Sequence, residues 1–310
     1  MAKWAFLFPG QGSQYVGMGK DLQRNFKAAA DVFAEADEAL HEELSKLCFE
    51  GPEDDLKLTR NTQPAILTVS IAALQVLRQE TGLVPAMTAG HSLGEYSSLV
   101  ASGALKFADA VVLVHKRGTF MQEAVPIGVG GMAAIMGLET DVLEQICRES
   151  AEGQVVAPAN YNSPGQIAIS GHMEAVKRAA AKAETAGARK VVILPVSAPF
   201  HSSLMKPAAE KLAEAFEPIT VQDLIIPVLS NVEADFYPSR DDVKRLLIAQ
   251  VDHPVRWIEE MEKMIREGVD RCLEIGPGKV LSGLMRKISR TTVVQSIENP
   301  DGIREFVSGL

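Results

Sequence analysis

Short apolar runs alternate with longer helix-like stretches along most of this chain, and that alternation restricts the fold more than any other feature. Trp4-Ala5-Phe6-Leu7-Phe8 opens the pattern and is cut off by Pro9-Gly10; helical segments are expected over about 28–44 and 64–80, then a strand-like entry into Gly90. Parallel strands need a crossover between them, so alternation of this kind predicts an α/β domain with a mostly parallel sheet. One region departs from it. From Gly131 the order reads strand (132–136), helix (140–150), strand (155–159), strand (166–170), helix (173–186) and strand (191–196), punctuated by turn-rich stretches at 160–165 and 187–188. A β-α-β-β-α-β order is the ferredoxin-like signature, a unit able to bury its own core. The expected organisation is a discontinuous large α/β domain, 1–126 and 198–310, carrying a small ferredoxin-like subdomain at 127–197.

Bulk properties narrow the function. The chain has 310 residues, 46% hydrophobic and 23% charged, enough for one large domain or one large plus one small. No apolar run approaches the ~20 residues that span a bilayer, and the N-terminal run is too short for a secretory signal core. Cys48, Cys147 and Cys272 are widely spaced with no CxxC pair, which argues against a disulfide framework or zinc cluster. These features predict a cytoplasmic protein with no membrane partner. A net charge of −9 disfavours nucleic acid. Gly128-Val129-Gly130-Gly131 is not followed by a helix and so reads as a connection, not a phosphate loop.

Gly90-His91-Ser92-Leu93-Gly94 fits the G-x-S-x-G nucleophile elbow, with helix-like Glu95 to Val100 behind it. Flanking glycines permit a sharp turn that exposes the serine hydroxyl, and the Leu93 N–H at the helix head becomes an oxyanion donor. The alternative is a glycine-rich turn whose serine caps the helix. Of six histidines, His41 and His172 read as solvated and His115 as a core residue. His201, in Ser197-Ala198-Pro199-Phe200-His201-Ser202, follows a strand in the kind of loop where functional residues gather, and is the expected general base. His253 is a distant second, and no aspartate stands near His201 in sequence.

Ala110, Leu113, Val114, Arg117 and Met121 share one helix face. An arginine on an apolar stripe needs an anion, either a structural carboxylate or a substrate whose planar carboxylate matches the guanidinium fork. Met132, Met136 and Met285 read as core. Glu274-Ile275-Gly276-Pro277-Gly278 reads as a strand-to-turn joint.

Taken together, these residues resemble the malonyl-CoA:acyl carrier protein transacylase family. The matching blocks are Phe8-Pro9-Gly10-Gln11-Gly12-Ser13-Gln14, Thr62-Gln63-Pro64-Ala65, Gly90 to Glu95, Lys116-Arg117-Gly118, Pro199-Phe200-His201-Ser202, Pro254-Val255-Arg256-Trp257 and Glu274 to Gly278. The resemblance implies a hydrolase-like α/β core with a ferredoxin-like subdomain, and ping-pong transfer of malonyl from malonyl-CoA to the phosphopantetheine thiol of an acyl carrier protein. It implies no tightly bound cofactor and no metal. Ser92 would be acylated, His201 would be its base, and the backbone N–H groups of Gln11 and Leu93 would form the oxyanion hole. The Gln250 carbonyl would orient the imidazole in place of an aspartate. Arg117 would bind the malonyl carboxylate, with Gln63, Met121, Asn160 and Asn162 lining the pocket. Phe200 matches a position that goes with malonyl over methylmalonyl in the related polyketide synthase domains. The remaining alternatives are a thioesterase-like serine hydrolase, the malonyl-transfer subunit of a malonate decarboxylase, and a non-catalytic carrier-binding paralogue. Lys279 to Arg290, and Arg189 with Lys190, are the expected docking surfaces for an acidic carrier.

Overall fold

The computed structural model describes residues 2–196 and 198–310; Ser197, at the end of the expected small subdomain, lies outside them. Its strands are β1 (Trp4–Phe8), β2 (Met87–Gly90), β3 (Gly130–Met136), β4 (Val156–Ser163), β5 (Gln166–His172), β6 (Lys190–Ile193), β7 (Arg271–Ile275) and β8 (Val293–Ile297). They form two sheets. The larger has the order β2-β1-β7-β8 and is parallel throughout. The smaller has the order β4-β5-β3-β6 and is antiparallel.

The continuous apolar run of β1 follows from its central place. Trp4, Phe6 and Phe8 pack into one core with the helices Thr59–Thr81 and Phe107–Glu123. Ala5 and Leu7 point the other way, into a second core with Trp257, Met261 and Leu281. A parallel strand covered on both faces has no polar side, so alternation disappears from its sequence. The smaller sheet has its own core, in which Ile135, Ile167 and Ile169 meet Leu143 and Ile146 of the helix Thr140–Ser150 and Val176 of the helix Met173–Thr185.

Several boundaries differ from expectation, each for a local reason. The first long helix stops at Leu40, where His41 turns left-handed at φ 54°, and a separate helix runs Leu44–Glu50. The second expected helix begins at Thr59, not at Pro64; Pro64 sits in its second turn, where it forfeits a single intrahelical bond. Asn160 to Ser163 belong to β4 and not to a turn, accommodated by register shifts between Pro158 and Asn160 and between Tyr161 and Ser163. An isolated bridge ties Asn160 to Val255, so the bulged part of β4 lies against the segment that leads into the helix Trp257–Arg266. β6 ends at Ile193, and residues 194–196 continue as loop. The Glu274 block needs no ligand: its buried carboxylate accepts the N–H groups of Leu281 (2.9 Å) and Ser282 (2.8 Å) at the head of the helix Val280–Ile288. All three cysteines are free and buried.

Candidate active site

β1 and β2 run side by side in register, Phe8 opposite Gly90, so the segments leaving their carboxyl ends are neighbours. One carries Gln11; the other makes the elbow. Ser92 sits at φ 52° and ψ −102°, a conformation that non-glycine residues rarely hold, and the helix Leu93–Ala101 begins directly behind it. The flanking glycines are required by space. A Cβ on Gly90 would meet the Gly94 carbonyl at 1.9 Å, and one on Gly94 would meet the Phe8 oxygen at 2.0 Å. The elbow is thereby packed too closely to relax.

Ser92 Oγ lies 2.8 Å from His201 Nε2. The other ring nitrogen, Nδ1, donates to the backbone carbonyls of Gln250 (2.8 Å) and His253 (3.1 Å). A carbonyl can only accept, so the proton stays on Nδ1 and Nε2 is left free to take one from the serine. Two carbonyls therefore do the orienting that an aspartate does elsewhere. His253 contributes only its backbone; its imidazole is exposed and bonded to Ala249 O and Asp252, which removes it as a candidate base. Of the other histidines, His172 is half-buried, and its Nδ1 accepts the Val155 N–H.

Arg117 is 1% exposed, among the largest fully buried side chains, on the same helix face as Ala110, Leu113, Val114 and Met121. Its Nη1 donates to Gln63 Oε1 (2.6 Å), and its Nη2 to Gln250 Oε1 (2.8 Å) and Ser92 Oγ (3.1 Å); the Tyr96 ring lies 5.4 Å away. Every hydrogen-bond acceptor on this guanidinium is neutral, so no carboxylate is paired with it directly. Burial lowers the Arg117 pKa, and a guanidinium stays charged in proteins. Burial also pushes the His201 pKa down to about 3, and the Arg117 charge adds to that effect. The imidazole is therefore neutral in the resting pocket.

Gln11, Gln63, Met121, Asn160 and Phe200 line the cavity around Ser92, with Leu93 at the elbow. Asn162 does not line it. Its Oδ1 accepts from His91 Nε2 at 2.8 Å, because the shift between Tyr161 and Ser163 turns it behind the elbow, where it holds the His91 ring. His91 and Met132 line the cavity and were not expected there; Met132, read as core, is buried at its wall. Asn231 was also missed. Its Oδ1 accepts the Ser92 N–H (2.7 Å) and its Nδ2 donates to Gly90 O (2.8 Å), so it fastens both sides of the strained serine. Ser230-Asn231-Val232 carries no motif, and only the fold brings it here. Gln250 Nε2 donates to Ser92 O (2.8 Å), so this residue serves the site with its side chain as well as its carbonyl.

The acyl transferase domain family matches residues 5–299 of the chain. Malonyl CoA-acyl carrier protein transacylase of Bacillus subtilis (strain 168) is 52% identical over 311 residues, 100% of this chain and 98% of the relative. That of Escherichia coli (strain K12) is 48% identical over 303 residues, 98% of each. The solved structure of the Coxiella burnetii transacylase superposes with a TM-score of 0.97 at 42% identity, covering 99% of this chain and 97% of that one. A malonyl-transacylase solved in complex with a type II polyketide synthase acyl-carrier protein gives a TM-score of 0.97 at 42% identity, each chain covered completely (100%).

Proposed function

The chain belongs to the acyl transferase family, alongside the malonyl CoA-acyl carrier protein transacylases, and we propose that it carries the malonyl group on Ser92 between two thiols. It is an acyltransferase that moves malonyl from coenzyme A to an acyl carrier protein. The thioesterase, decarboxylase-subunit and scaffolding alternatives find no support among these relatives. The observation that carries the assignment is the position of Ser92 Oγ, 2.8 Å from His201 Nε2 and 3.1 Å from Arg117 Nη2. Nucleophile, base and carboxylate receptor meet at one atom.

His201 Nε2 takes the Ser92 proton as Oγ attacks the thioester carbonyl. The backbone N–H groups of Leu93 and Gln11 hold the tetrahedral oxyanion; Leu93 has its N–H to offer because it opens a helix. Coenzyme A leaves with the proton from His201, giving a malonyl-serine ester. The carrier's phosphopantetheine thiol then gives its proton to His201 and attacks that ester, and His201 returns the proton to Ser92 Oγ as the ester bond breaks. Arg117 binds the malonyl carboxylate throughout. That contact also serves the base, because a carboxylate on Arg117 cancels the charge that opposes protonation of His201. Gln63, Met121, Asn160 and Phe200 shape the acyl pocket, and Asn162 acts through His91.

No step here requires a tightly bound cofactor. No helix among the described residues is long and apolar enough to cross a membrane. Three free, buried cysteines suit a reducing compartment. We place the reaction in the cytoplasm, where a malonyl-loaded carrier supplies fatty acid biosynthesis. Incubation with labelled malonyl-CoA and a phosphopantetheinylated carrier tests the reading. Most label should reach the carrier thiol, and His201→Ala should slow transfer by ~10²–10⁴. Release of label chiefly as free malonate would contradict it.

A further inference from the structure

Beneath the elbow lies a buried acid cluster that the transfer reaction leaves unused. Glu95, on the helix Leu93–Ala101, and Glu260, on the helix Trp257–Arg266, are both completely buried. Glu95 Oε1 accepts the Tyr237 hydroxyl, and Oε2 accepts Gln250 Nε2 (2.6 Å) and the Asn231 N–H (3.3 Å). Three donors and no acceptor are the surroundings of an ionised carboxylate. Glu260 has one donor, Asn231 Nδ2 at 2.9 Å, and its Oε2 has no partner. Those surroundings suit a carboxyl that keeps its proton, and Asn231 joins the two acids.

Gln250 couples this cluster to the acyl pocket. Its Oε1 accepts from Arg117 while its Nε2 donates to Glu95. A fully buried guanidinium bonded only to neutral groups needs a compensating charge nearby. The carboxylate whose charge acts on Arg117 is Glu95, one amide away. A malonyl group brings a second carboxylate to the same cation, leaving one negative charge in excess inside apolar surroundings.

We infer that the Glu95–Glu260 pair balances charge for the acyl pocket: it compensates Arg117 in the empty enzyme and takes up one solvent proton when a malonyl carboxylate pairs with that arginine. The inference rests on the assignment of Arg117 as the malonyl receptor. The titratable groups facing Glu95 are Tyr237, Tyr96, Glu260 and Arg117, and Glu260 also feels Arg256 and Glu259. Burial raises both tyrosines, so they stay protonated. Burial and then the Glu95 charge raise Glu260 well above the carboxylate range. Burial raises Glu95 itself to about 7, opposed by its donors and by Arg117. Neutralising Arg117 removes part of that opposition and moves Glu95 further up. Proton uptake is therefore expected at and above neutral pH.

Ser92→Ala protein, which binds acyl-CoA without turnover, allows a direct measurement. Malonyl-CoA and acetyl-CoA are titrated calorimetrically at several pH values between about 6.5 and 8.5, in buffers of different ionisation heat. Both ligands carry the same phosphates, so acetyl-CoA is the reference. Malonyl-CoA should take up as much as about one proton more than acetyl-CoA, and its Kd relative to acetyl-CoA should weaken by as much as about tenfold per pH unit above pH 7.5. Adding Glu95→Gln should abolish both effects; if that protein does not fold, the acetyl comparison decides alone. Equal uptake with the two ligands, a pH-independent Kd ratio, or a slope that survives Glu95→Gln overturns the inference. Arg117→Ala separates the two levels. If malonyl preference survives it, the receptor assignment fails; if preference is lost there but no proton accompanies malonyl in the Ser92→Ala protein, only the role of the acid pair fails.

Discussion

Arg117→Ala should convert a malonyl-selective pocket into one that barely distinguishes acyl groups. In the empty site Nη1 and Nη2 are held by Gln63, Gln250 and Ser92, and Nε has no protein partner. A malonyl carboxylate entering here exchanges neutral amide contacts for a charge-assisted pair in a desolvated site. Removing one partner from a buried charge pair costs ~2–5 kcal/mol; the amide contacts given up in the exchange place this case toward the lower half, about two orders of magnitude in kcat/KM. Acetyl transfer forms no such pair and loses only the Nη2 contact to Ser92 Oγ, a hydrogen bond with one charged partner worth ~1.5–3 kcal/mol that malonyl transfer loses as well, so it drops out of the ratio. Acetyl transfer also gains, because the charge that depresses His201 is gone. The malonyl-to-acetyl ratio of kcat/KM should therefore fall at least about tenfold, and acetyl transfer should fall far less than malonyl transfer. Steady-state kinetics with both donors at saturating carrier reads the ratio, with thermal unfolding as a control for the lost core packing. An equal loss on both donors would mean that Arg117 acts as structure and does not receive the carboxylate.

Because His201 is neutral down to about pH 3, the acid limb of kcat/KM for acetyl-CoA should lie well below the ordinary histidine range; Arg117→Ala should move it upward, and a wild-type limb near 6.5 would contradict the depressed base. Phe200 at the pocket wall should disfavour an α-methyl group, so Phe200→Ser should narrow malonyl over methylmalonyl selectivity by ~1–3 kcal/mol; an unchanged ratio would place the restricting wall elsewhere. Lys279, Arg286, Lys287 and Arg290 are exposed on one helix and its flanks, and Arg189 and Lys190 are exposed on the small sheet. Charge reversal at either group should raise carrier KM, more so at low salt, while leaving Ser92 acylation by malonyl-CoA intact; unaffected KM after reversing both would separate docking from these surfaces.

The parts of the site that were legible in the sequence are those whose chemistry is local. The elbow could be read because its glycines and serine are contiguous, and the clash distances at Gly90 and Gly94 explain why that spelling is needed. Arg117 could be read as an anomaly on an apolar stripe, but only the structure shows that its hydrogen-bond partners are neutral and that a carboxylate, Glu95, lies one amide away. The small sheet was legible through its element order, because each of its strands and helices contributes to one self-contained core. Asn162 was misread because register shifts in β4 redirect it, and such shifts leave no mark in composition. Asn231, Tyr237 and Glu260 carried no signal, since each acquires its role by meeting Glu95 or Gly90 from more than 130 residues away, or Asn231 from 29. Glu95 is the single charged residue of the helix Leu93–Ala101, but its sequence neighbours do not show what it meets.

The most direct test of transfer through Ser92 is the intact mass of the protein after brief exposure to malonyl-CoA without carrier, followed by acid quench and peptide mapping. Wild-type protein should gain the mass of one malonyl group, located on the peptide containing Ser92, and lose it when holo-carrier is added. Ser92→Ala should gain none, because Ser97 and Ser98 are buried in the following helix, away from the elbow. A full malonyl adduct on Ser92→Ala, or wild-type transfer to carrier with no adduct at any time, would contradict the mechanism.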